Sequence, residues 1–284
     1  MLARLDNEVI FKKAFTDPFV FRAFVKDILG IDVNPPKIET ERSFAPKSGS
    51  VDVRYDIFAE DPEKRVIVEI QKVEYDHNFD RFLHYHLQGI TEQTRSASQY
   101  SPERTVYTIV VITAPYKVGT KSGEFILDEV LISKLNPKNL RGVERDLFNH
   151  ELVFLNPNYR DADTPQNYRD WLDLVYESIH HPRTPHINAE NAGVMRVAEL
   201  IDVDELTPTE MYEAKKEAGK QSVQALIKEE GRVEGRVEGR VEGKEEMQEQ
   251  MIMNLLELGV LSVEQIAMVA KVPLERVLAL QQKK

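Results

Sequence analysis

The chain of 284 residues contains no cysteine. This absence excludes disulfide bonds and metal sites built from thiolates, and it leaves the redox compartment unrestricted. The sequence also lacks an apolar run long enough to cross a bilayer, and its charged N-terminal segment does not have the pattern of a signal peptide. We therefore expect a cytoplasmic protein with no membrane partner.

Positive charge is scarce as well. Lysine and arginine number 37 against 48 aspartates and glutamates, which gives a net charge of −11. Because duplex affinity comes largely from neutralising phosphates with basic side chains, strong DNA binding is not expected. Any DNA contact would depend on local basic residues, which occur at Lys117, Lys121, Lys134, Lys138, Arg141 and Arg145. Such binding would be weak or assisted by a partner, and sensitive to salt.

Two runs that alternate in the manner of β-strands contain the most informative residues of the chain. They cover residues 53–60 and 65–72, and the four residues between them have the composition of a turn. This order predicts a hairpin that places Asp56 beside Glu69, with Glu69 and Gln71 on the same face of their strand. Two neighbouring carboxylates are ligands that a hard divalent cation prefers.

An ordinary solvated hairpin is the alternative to a metal site. In that interpretation the exposed face of the first strand carries Asp52, Arg54, Asp56 and Phe58. The second strand argues against it, because that strand is apolar on both faces. Val66, Val68 and Ile70 form one face, and Ile67 lies on the other. Glu69 and Gln71 would then be polar groups in a buried strand, and such groups need partners.

In these residues the chain resembles the PD-(D/E)XK nucleases, and within them the recombination-promoting nucleases, also known as PD-(D/E)XK family transposases. The active site of that branch reads Asp followed by Glu-x-Gln, which Asp56 and Glu69-Ile70-Gln71 match in order and spacing. Glu8 stands in the opening helix, where the family carries an acid. Further matches in the helix after the motif are Arg81, Tyr85 and Gln93. The resemblance covers the chain up to about His180.

The resemblance implies a Mg²⁺ ion held by Asp56, Glu69 and the backbone carbonyl of Ile70. Gln71 would position the attacking water, although its neutral amide cannot supply the positive charge of the lysine that the wider superfamily carries. Glu8 would support the site by holding a metal-bound water or a second ion. For Glu8 the alternative is an ordinary first-turn glutamate in a helix capped by the nearby aspartate.

Four residues are predicted to contact nucleic acid. They are Lys72, Arg81, Tyr85 and Gln93. Arg81 and Tyr85 are four apart on one helix face and would reach neighbouring phosphates together, although a purely structural pair fits the spacing equally well. Gln93 is included only because of its family match. Lys72 points away from Glu69 by strand alternation, so it is either a cation on the substrate side or a solvated lysine.

The predicted elements indicate an α/β fold. The resemblance refines this to a PD-(D/E)XK restriction-endonuclease-like core, a mixed sheet flanked by helices, with an α-helical C-terminal extension. A helix opens near Asp6, and Asp17-Pro18 begins a second helix that ends at Gly30. Besides the hairpin, strands are predicted near residues 37–44, 105–113, 129–133 and 151–155, and helices at 78–98 and 165–180.

We predict four segments along the chain. They are a nuclease-like domain at 1–183, a helical connector at 184–230, a Gly-Arg-Val-Glu repeat spacer at 231–246 and a helical hairpin at 247–284. In a helical repeat of period four, like charges would stack, and each glycine would cost about 1 kcal/mol relative to alanine. The regularly spaced valines favour an extended helical spacer. The alternative is a frayed, solvated spacer.

The last segment predicts two short helices. Ser262 and Gln265 form a capping box, and Pro273 opens the second helix. A helical hairpin would bury Leu255, Leu256, Leu258, Ile266, Val269, Val277 and Leu280 against itself or a partner. A homo-oligomer formed through these helices is therefore one expectation. A DNA-reading helix-turn-helix is the alternative, with Arg276 as the basic residue in the body of its second helix.

These observations predict a Mg²⁺-dependent DNA endonuclease that hydrolyses phosphodiester bonds. The alternative is a catalytically weak or inactive nuclease-fold protein that acts as a DNA-associated or protein-interaction module. A third interpretation is a strand-cutting component of a recombination or mobile-element machine that is inactive alone.

Overall fold

The structure is a computed structural model that describes residues 1–44, 52–72, 79–94, 101–115 and 124–282. The predicted DNA contacts Lys117 and Lys121 lie outside these ranges. The chain divides into two compact units, Met1–Ala218 and Gly219–Lys284. None of the described helices is both long enough and apolar enough to cross a membrane.

Six strands of the described residues form one mixed sheet in the first unit. They are β1 (Ile38–Phe44), β2 (Val53–Glu60), β3 (Lys64–Gln71), β4 (Thr105–Ile112), β5 (Val130–Lys134) and β6 (Glu151–Leu155). Their order across the sheet is β1-β2-β3-β4-β6-β5. The pairs β3–β4 and β4–β6 are parallel, and the other pairs are antiparallel. The strands predicted from the sequence are all present, and β2 and β3 form the predicted hairpin.

Helices flank this sheet and make up the C-terminal unit. They are α1 (Glu8–Phe15), α2 (Pro18–Leu29), α3 (Phe79–Thr91), α4 (Gln166–His180), α5 (Ala192–Leu200), α6 (Pro208–Leu258), α7 (Val263–Ala270) and α8 (Leu274–Gln282). Short 3₁₀ helices occur at Pro157–Tyr159 and Val203–Glu205. The predicted α/β class, with a helix-flanked mixed sheet and C-terminal helices, is therefore confirmed.

Local side chains set the ends of several elements. Asp17 caps α2 by accepting from two backbone N–H groups, and Gly30 ends that helix with a left-handed φ of 68°. The α1 cap is Asn7 and not the predicted Asp6, because the Asn7 side chain accepts from the first-turn N–H groups while Asp6 pairs with Arg4. The β2–β3 turn is closed by Asp61, which accepts from the backbone of Glu63 and Lys64.

The two faces of the sheet pack on different helices. One face, which includes Val66 and Val68, joins α1, α2, α4 and α5 in the largest apolar cluster. The opposite face, which includes Ile67, is covered by α3. Helix α3 comes close to the sheet at Gly89, where an added Cβ would lie 2.9 Å from Cδ1 of Ile67. The helix ends at Thr91, so it is shorter than predicted.

The first unit extends beyond residue 183, where the sequence predicts a boundary. Helix α5 packs on α1, α2 and α4, and an added Cβ at Gly193 would lie only 2.7 Å from the Ala23 side chain. Asp27 accepts hydrogen bonds from Trp171 of α4 and from Asn191 before α5. The start of α6 is also bound to α1, through a hydrogen bond from the Asn7 amide to the Ala214 carbonyl. These long-range contacts make residues 184–218 part of the sheet unit.

In the C-terminal unit, the backbone of the Gly-Arg-Val-Glu repeat is helical within α6. The predicted capping box of Ser262 and Gln265 is present at the start of α7. The apolar cluster of this unit contains Ile252, Ile266, Ala267, Ala270, Val277 and Leu280. Leu258 and Val269 are 69% and 50% exposed, so the hairpin does not bury them against itself. The cluster draws instead on Ile252, which lies further back along α6.

The second group of predicted basic residues does not form a helix. Lys134 ends β5 and lies 3.9 Å from Glu151, while Lys138, Arg141 and Arg145 lie in the connection between β5 and β6. All four are exposed. Their near-helical spacing in sequence is thus not a shared helix face, because Pro137 and the turn at Gly142 (φ 79°) follow the strand.

Candidate metal and nucleic-acid site

Asp56 and Glu69 lie on adjacent strands, and each carboxylate accepts a backbone hydrogen bond from the other strand. The Asp56 N–H donates to Oε1 of Glu69 over 3.1 Å, and the Ile70 N–H donates to Oδ2 of Asp56 over 3.0 Å. Backbone pairing of β2 with β3 runs from the turn to Ile57 and Val68. Beyond this last backbone pair, the carboxylates of Asp56 and Glu69 accept hydrogen bonds from backbone N–H groups of the opposite strand. The sequence-predicted acid pair is therefore brought together.

The strand geometry is irregular at this point. Glu41 in β1 has a left-handed φ of 56°. Glu41 does not pair with Asp56 in the β1–β2 ladder, although the residues on either side pair regularly, Thr40 with Ile57 and Arg42 with Tyr55. In β2 the buried face changes at the same place: Tyr55 and Phe58 share one apolar cluster, whereas Ile57 belongs to the cluster on the opposite face. Phe58 was therefore wrongly placed on the exposed face with Arg54. Unusual backbone in a non-glycine residue concentrates at functional sites.

Three acidic side chains gather around one lysine. Among the described residues, oxygens of Glu8, Glu41 and Asp56 come within 4.8 Å of one another. The Lys12 ammonium forms ion pairs with Glu8 and Glu41, and it lies 3.4 Å from Oδ1 of Asp56. Lys12 is 13% exposed, and Arg54 adds a second cation 3.1 Å from Glu41. The predicted support residue Glu8 therefore reaches Asp56, through a cluster that includes Glu41 and Lys12.

Burial and charge shift the pKa values of this cluster in opposite directions. Burial raises the pKa of Glu69 well above its ordinary value, and the neighbouring Asp56 charge raises it further. Burial also raises the pKa of Asp56, against the Ile70 N–H bond and the Lys12 charge. Burial would lower the pKa of Lys12, but hydrogen bonds to Glu41 and Glu8 hold it above its usual range. Burial thus makes Asp56 and Glu69 harder to ionise, whereas for Glu41 the effect of burial is outweighed by its bonds to Lys12 and Arg54, which lower its pKa.

Gln71 and Arg81 meet at the end of β3. A guanidinium N–H of Arg81 donates to Oε1 of Gln71 over 3.2 Å. The same guanidinium lies 5.1 Å from the ring centroid of Tyr85, so the predicted shared helix face is present. Tyr85 in turn packs against Tyr55, whose hydroxyl donates to the Tyr85 carbonyl over 3.0 Å. These contacts fix the Gln71 amide in orientation on the α3 side of the sheet.

Two predicted nucleic-acid contacts are engaged elsewhere in the unit. Gln93 lies beyond the end of α3 and is buried; its amide donates to the carbonyls of Gly89 and Arg104 and accepts from the Arg104 N–H. It joins the end of α3 to the start of β4. Lys72 lies 3.5 Å from Asp6, near the start of α1. The structure therefore does not bring Gln93 or Lys72 together with Gln71 and Arg81.

The donor set fits a hard divalent cation. Carboxylate oxygens are the ligands that Mg²⁺ takes from proteins, usually one or two at a time with waters completing the shell. Asp56 and Glu8 offer such oxygens in the acid cluster, and Glu41 offers another. Glu69 is not in that group of three, but its carboxylate accepts from the Asp56 N–H. The ammonium of Lys12 is bonded to three of these acids, so a bound cation would replace its contacts.

Sequence reasoning missed Lys12 and Glu41. Lys12 follows Glu8 by four residues in a predicted helix, and that spacing is a readable signal of an ion pair. Glu41 has no such signal, because it reaches the cluster through its left-handed backbone.

The chain was compared with protein-family models, with curated proteins and with solved structures, and none of them matches it. Function is therefore inferred from the geometry and chemistry of the described residues. At the end of the β2–β3 hairpin away from its turn, those residues form an acidic cluster around one lysine. A glutamine, an arginine and a tyrosine meet on the α3 side of the sheet, where the arginine charge acts on Glu69.

Proposed function

We propose that the chain is a Mg²⁺-dependent DNA endonuclease and that its sheet is a core of the PD-(D/E)XK type. The reciprocal backbone bonds of Asp56 and Glu69 support this most strongly, because they hold two acids together in the motif order of those nucleases. Buried carboxylates cost free energy unless a cation neutralises them. A divalent ion at this end of the hairpin would account for the surplus of acids.

Asp56 and Glu69 would hold the ion, with Glu8 in support and Glu41 as a further donor. Bound Mg²⁺ supplies a Lewis acid that polarises a phosphodiester oxygen and lowers the pKa of a coordinated water. Gln71, oriented by its hydrogen bond from Arg81, would place the attacking water through its amide. The net reaction adds water across one phosphodiester bond, leaving a phosphate monoester and a free hydroxyl.

Arg81 and Tyr85 would lie along the substrate. The guanidinium stacks near the Tyr85 ring, which orders it without removing its charge. A positive group held beside the acid cluster is suited to a phosphate oxygen. With a net charge of −11 on the chain, binding to DNA would be weak and would fall as salt is raised.

One observation favours the alternative of an inactive nuclease-fold protein. Lys12 is already bonded to Glu8 and Glu41 and lies close to Asp56. In that case the cluster would be a closed ion network that holds α1, β1 and β2 together, and the protein would act as a DNA-associated or protein-interaction module. The two functions differ in whether a divalent cation displaces the lysine.

Cleavage of supercoiled plasmid in Mg²⁺ separates the two functions. We expect nicking by the full chain, reduced at least 100-fold in Asp56→Asn and in Glu69→Gln, because even outer-shell losses at metal sites cost about 10–100-fold. Both variants keep a carbonyl oxygen that can accept the backbone bond. Glu63→Gln, in the exposed turn of the same hairpin, is the matched control and should cleave like the wild type. Equal cleavage by all four proteins, or DNA binding without cleavage at any Mg²⁺ concentration, would refute the proposal.

A further inference from the structure

The two outer strands of the sheet protect their free edges differently. β1 and β5 come first and last in the strand order, so each has one side on which no described strand pairs with it. Natural sheets guard such edges with charged side chains, and β1 carries Glu39, Glu41 and Arg42. β5 reads Val-Leu-Ile-Ser-Lys, with a single charge at its end. An apolar edge of this kind is a template for pairing with another strand.

Alternate residues of β5 supply the backbone groups of this edge. The Glu129 carbonyl accepts from the Asn156 N–H, and the Leu135 N–H donates to the His150 carbonyl, so both residues face β6. Backbone groups alternate in direction along an antiparallel strand, so three residues of β5 turn theirs to the free edge. They are Val130, Ile132 and Lys134.

The connection from β5 to β6 adds an exposed apolar surface. Every leucine, isoleucine, valine and phenylalanine from Ile132 to Phe148 is exposed: Ile132, Leu135, Leu140, Val143, Leu147 and Phe148. The backbone of this connection is held in place, because Oδ1 of Asn136 accepts from the N–H groups of Leu147, Phe148 and Asn149. Single exposed apolar residues are normal on protein surfaces, whereas a group of them marks an interaction site.

The charges around β5 favour a second copy of the chain as the partner. Residues 124–148 contain four lysines and arginines and five aspartates and glutamates, whereas the whole chain has a net charge of −11. Two copies can therefore approach at this edge without the repulsion that a large like charge imposes.

Pairing of β5 with itself is also complementary in register. With Leu131 on a two-fold axis, Val130 lies opposite Ile132 of the second copy, and the free backbone groups of both strands meet. Asp128, exposed just before the strand, then lies opposite Lys134 of the second copy. Symmetry makes each contact twice, so the register matches apolar residues with apolar residues and opposite charges with each other.

We propose that two copies of the chain form a two-fold dimer in which their β5 strands pair antiparallel in this register and join the two sheets into one. The exposed side chains of the β5–β6 connection flank the joint. This interface lies in the first unit, whereas the sequence predicts association through the C-terminal helices. It uses none of the residues assigned to metal or DNA in the proposed nuclease.

Cysteine cross-linking tests the register. The chain has no cysteine, so a single introduced thiol can form a disulfide only with a second copy. Leu131→Cys places two thiols in a non-hydrogen-bonded pair, with Cα atoms about 4.5 Å apart, which a disulfide can span. In the control Leu135→Cys, roughly 27 Å of strand would separate the two thiols. Under mild oxidation we expect Leu131→Cys to form covalent dimers at least about tenfold faster.

Light scattering of the full chain tests the dimer itself. Ile132→Pro removes an N–H from the free edge and leaves the bonds between β5 and β6 intact, so its mass should be half that of the wild type. Ile132→Val keeps the N–H and should match the wild type.

The proposal is overturned if the two cysteine variants cross-link at the same rate, or if folded Ile132→Pro keeps the wild-type mass. An unchanged mass with weakened DNA binding in Ile132→Pro would assign this edge to nucleic acid instead. The cysteine variants keep every N–H of the strand, so they test the interface even if Ile132→Pro does not fold. None of these readouts involves metal or cleavage, so the dimer and the nuclease can fail separately.

Discussion

The two ends of the β2–β3 hairpin both hold charged side chains away from solvent, but they balance those charges differently. At the turn end, the guanidinium of Arg65 is 5% exposed and bonds to Glu60 and Glu92, each at 2.8 Å, and to the Gly89 carbonyl. Arg104 approaches Glu60 to 3.9 Å. Arg104 also lies 3.3 Å from Glu103, so two cations share three acids here, and the buried group is a cation with two acidic partners. Arg65 also lies over the ring of Phe58.

At the opposite end the excess of acids over the cations bonded to them is larger, and the buried groups are acids. Glu8, Glu41 and Asp56 share Lys12, Arg54 reaches Glu41, and Glu69 lies buried against the Asp56 backbone. The pKa values of Asp56 and Glu69 are both raised, chiefly by burial. One hairpin therefore carries a buried, fully paired cation at its turn and buried, incompletely neutralised acids at its other end. Only the second has a use for an additional cation.

Removing the cation at the turn end should affect stability and not metal binding. Arg65→Met would remove the buried cation that Glu60 and Glu92 share, and breaking a buried ion pair on one side costs up to about 3–5 kcal/mol. Urea denaturation should show this loss of unfolding free energy. Lys64→Met, the more exposed neighbour, should change it little. If Arg65→Met weakened Mn²⁺ binding in protein that is still folded, the two ends would not be independent.

Removing the cation at the other end should have the opposite effect on metal binding. Lys12→Met takes away a unit charge that would oppose a divalent ion, a repulsion of up to about 8 kcal/mol at 4 Å in a partly buried setting, twice the value for two unit charges. We expect Mn²⁺ to bind at least about tenfold more tightly by calorimetry. The control is Lys13→Met, because Lys13 pairs with Glu210 instead. Unchanged or weaker Mn²⁺ binding in Lys12→Met would indicate a closed network at both ends.

The pH dependence of stability gives a smaller and more specific test. The pKa of Glu69 is raised in the folded chain, so its contribution to stability is present below the unfolded pKa and is lost as pH rises through the folded pKa. Each pKa unit of that difference corresponds to about 1.4 kcal/mol. Without divalent ions, Glu69→Gln should therefore be more stable than the wild type at pH 8 and equal to it near pH 4. A constant difference across this range would contradict the assignment.

Much of the hairpin and its surroundings follows from local sequence. Period-two alternation and the Asp61-Pro62 turn predict β2 and β3, and the caps at Asp17 and Ser262 mark helix starts correctly. These signals are local because each depends on residues a few positions apart. The pairing of Asp56 with Glu69 follows from them, since a short turn fixes which residues of the two strands are neighbours.

The rest of the site depends on contacts that sequence order does not reveal. Glu41, whose backbone is left-handed, joins the cluster, and Phe58 shares a face with Tyr55 and not with Arg54. The extent of the first unit depends on Gly193 and Asn191, which bind α5 to distant helices. Each of these requires the packed tertiary structure.

Locating a divalent ion in the protein tests the proposed metal site most directly. A crystal soaked in Mn²⁺ should give an anomalous peak in contact with the carboxylates of Asp56 and Glu69, with the Lys12 ammonium displaced from Asp56. The proposed metal site is refuted if no peak occurs there while Lys12 keeps its three acidic partners.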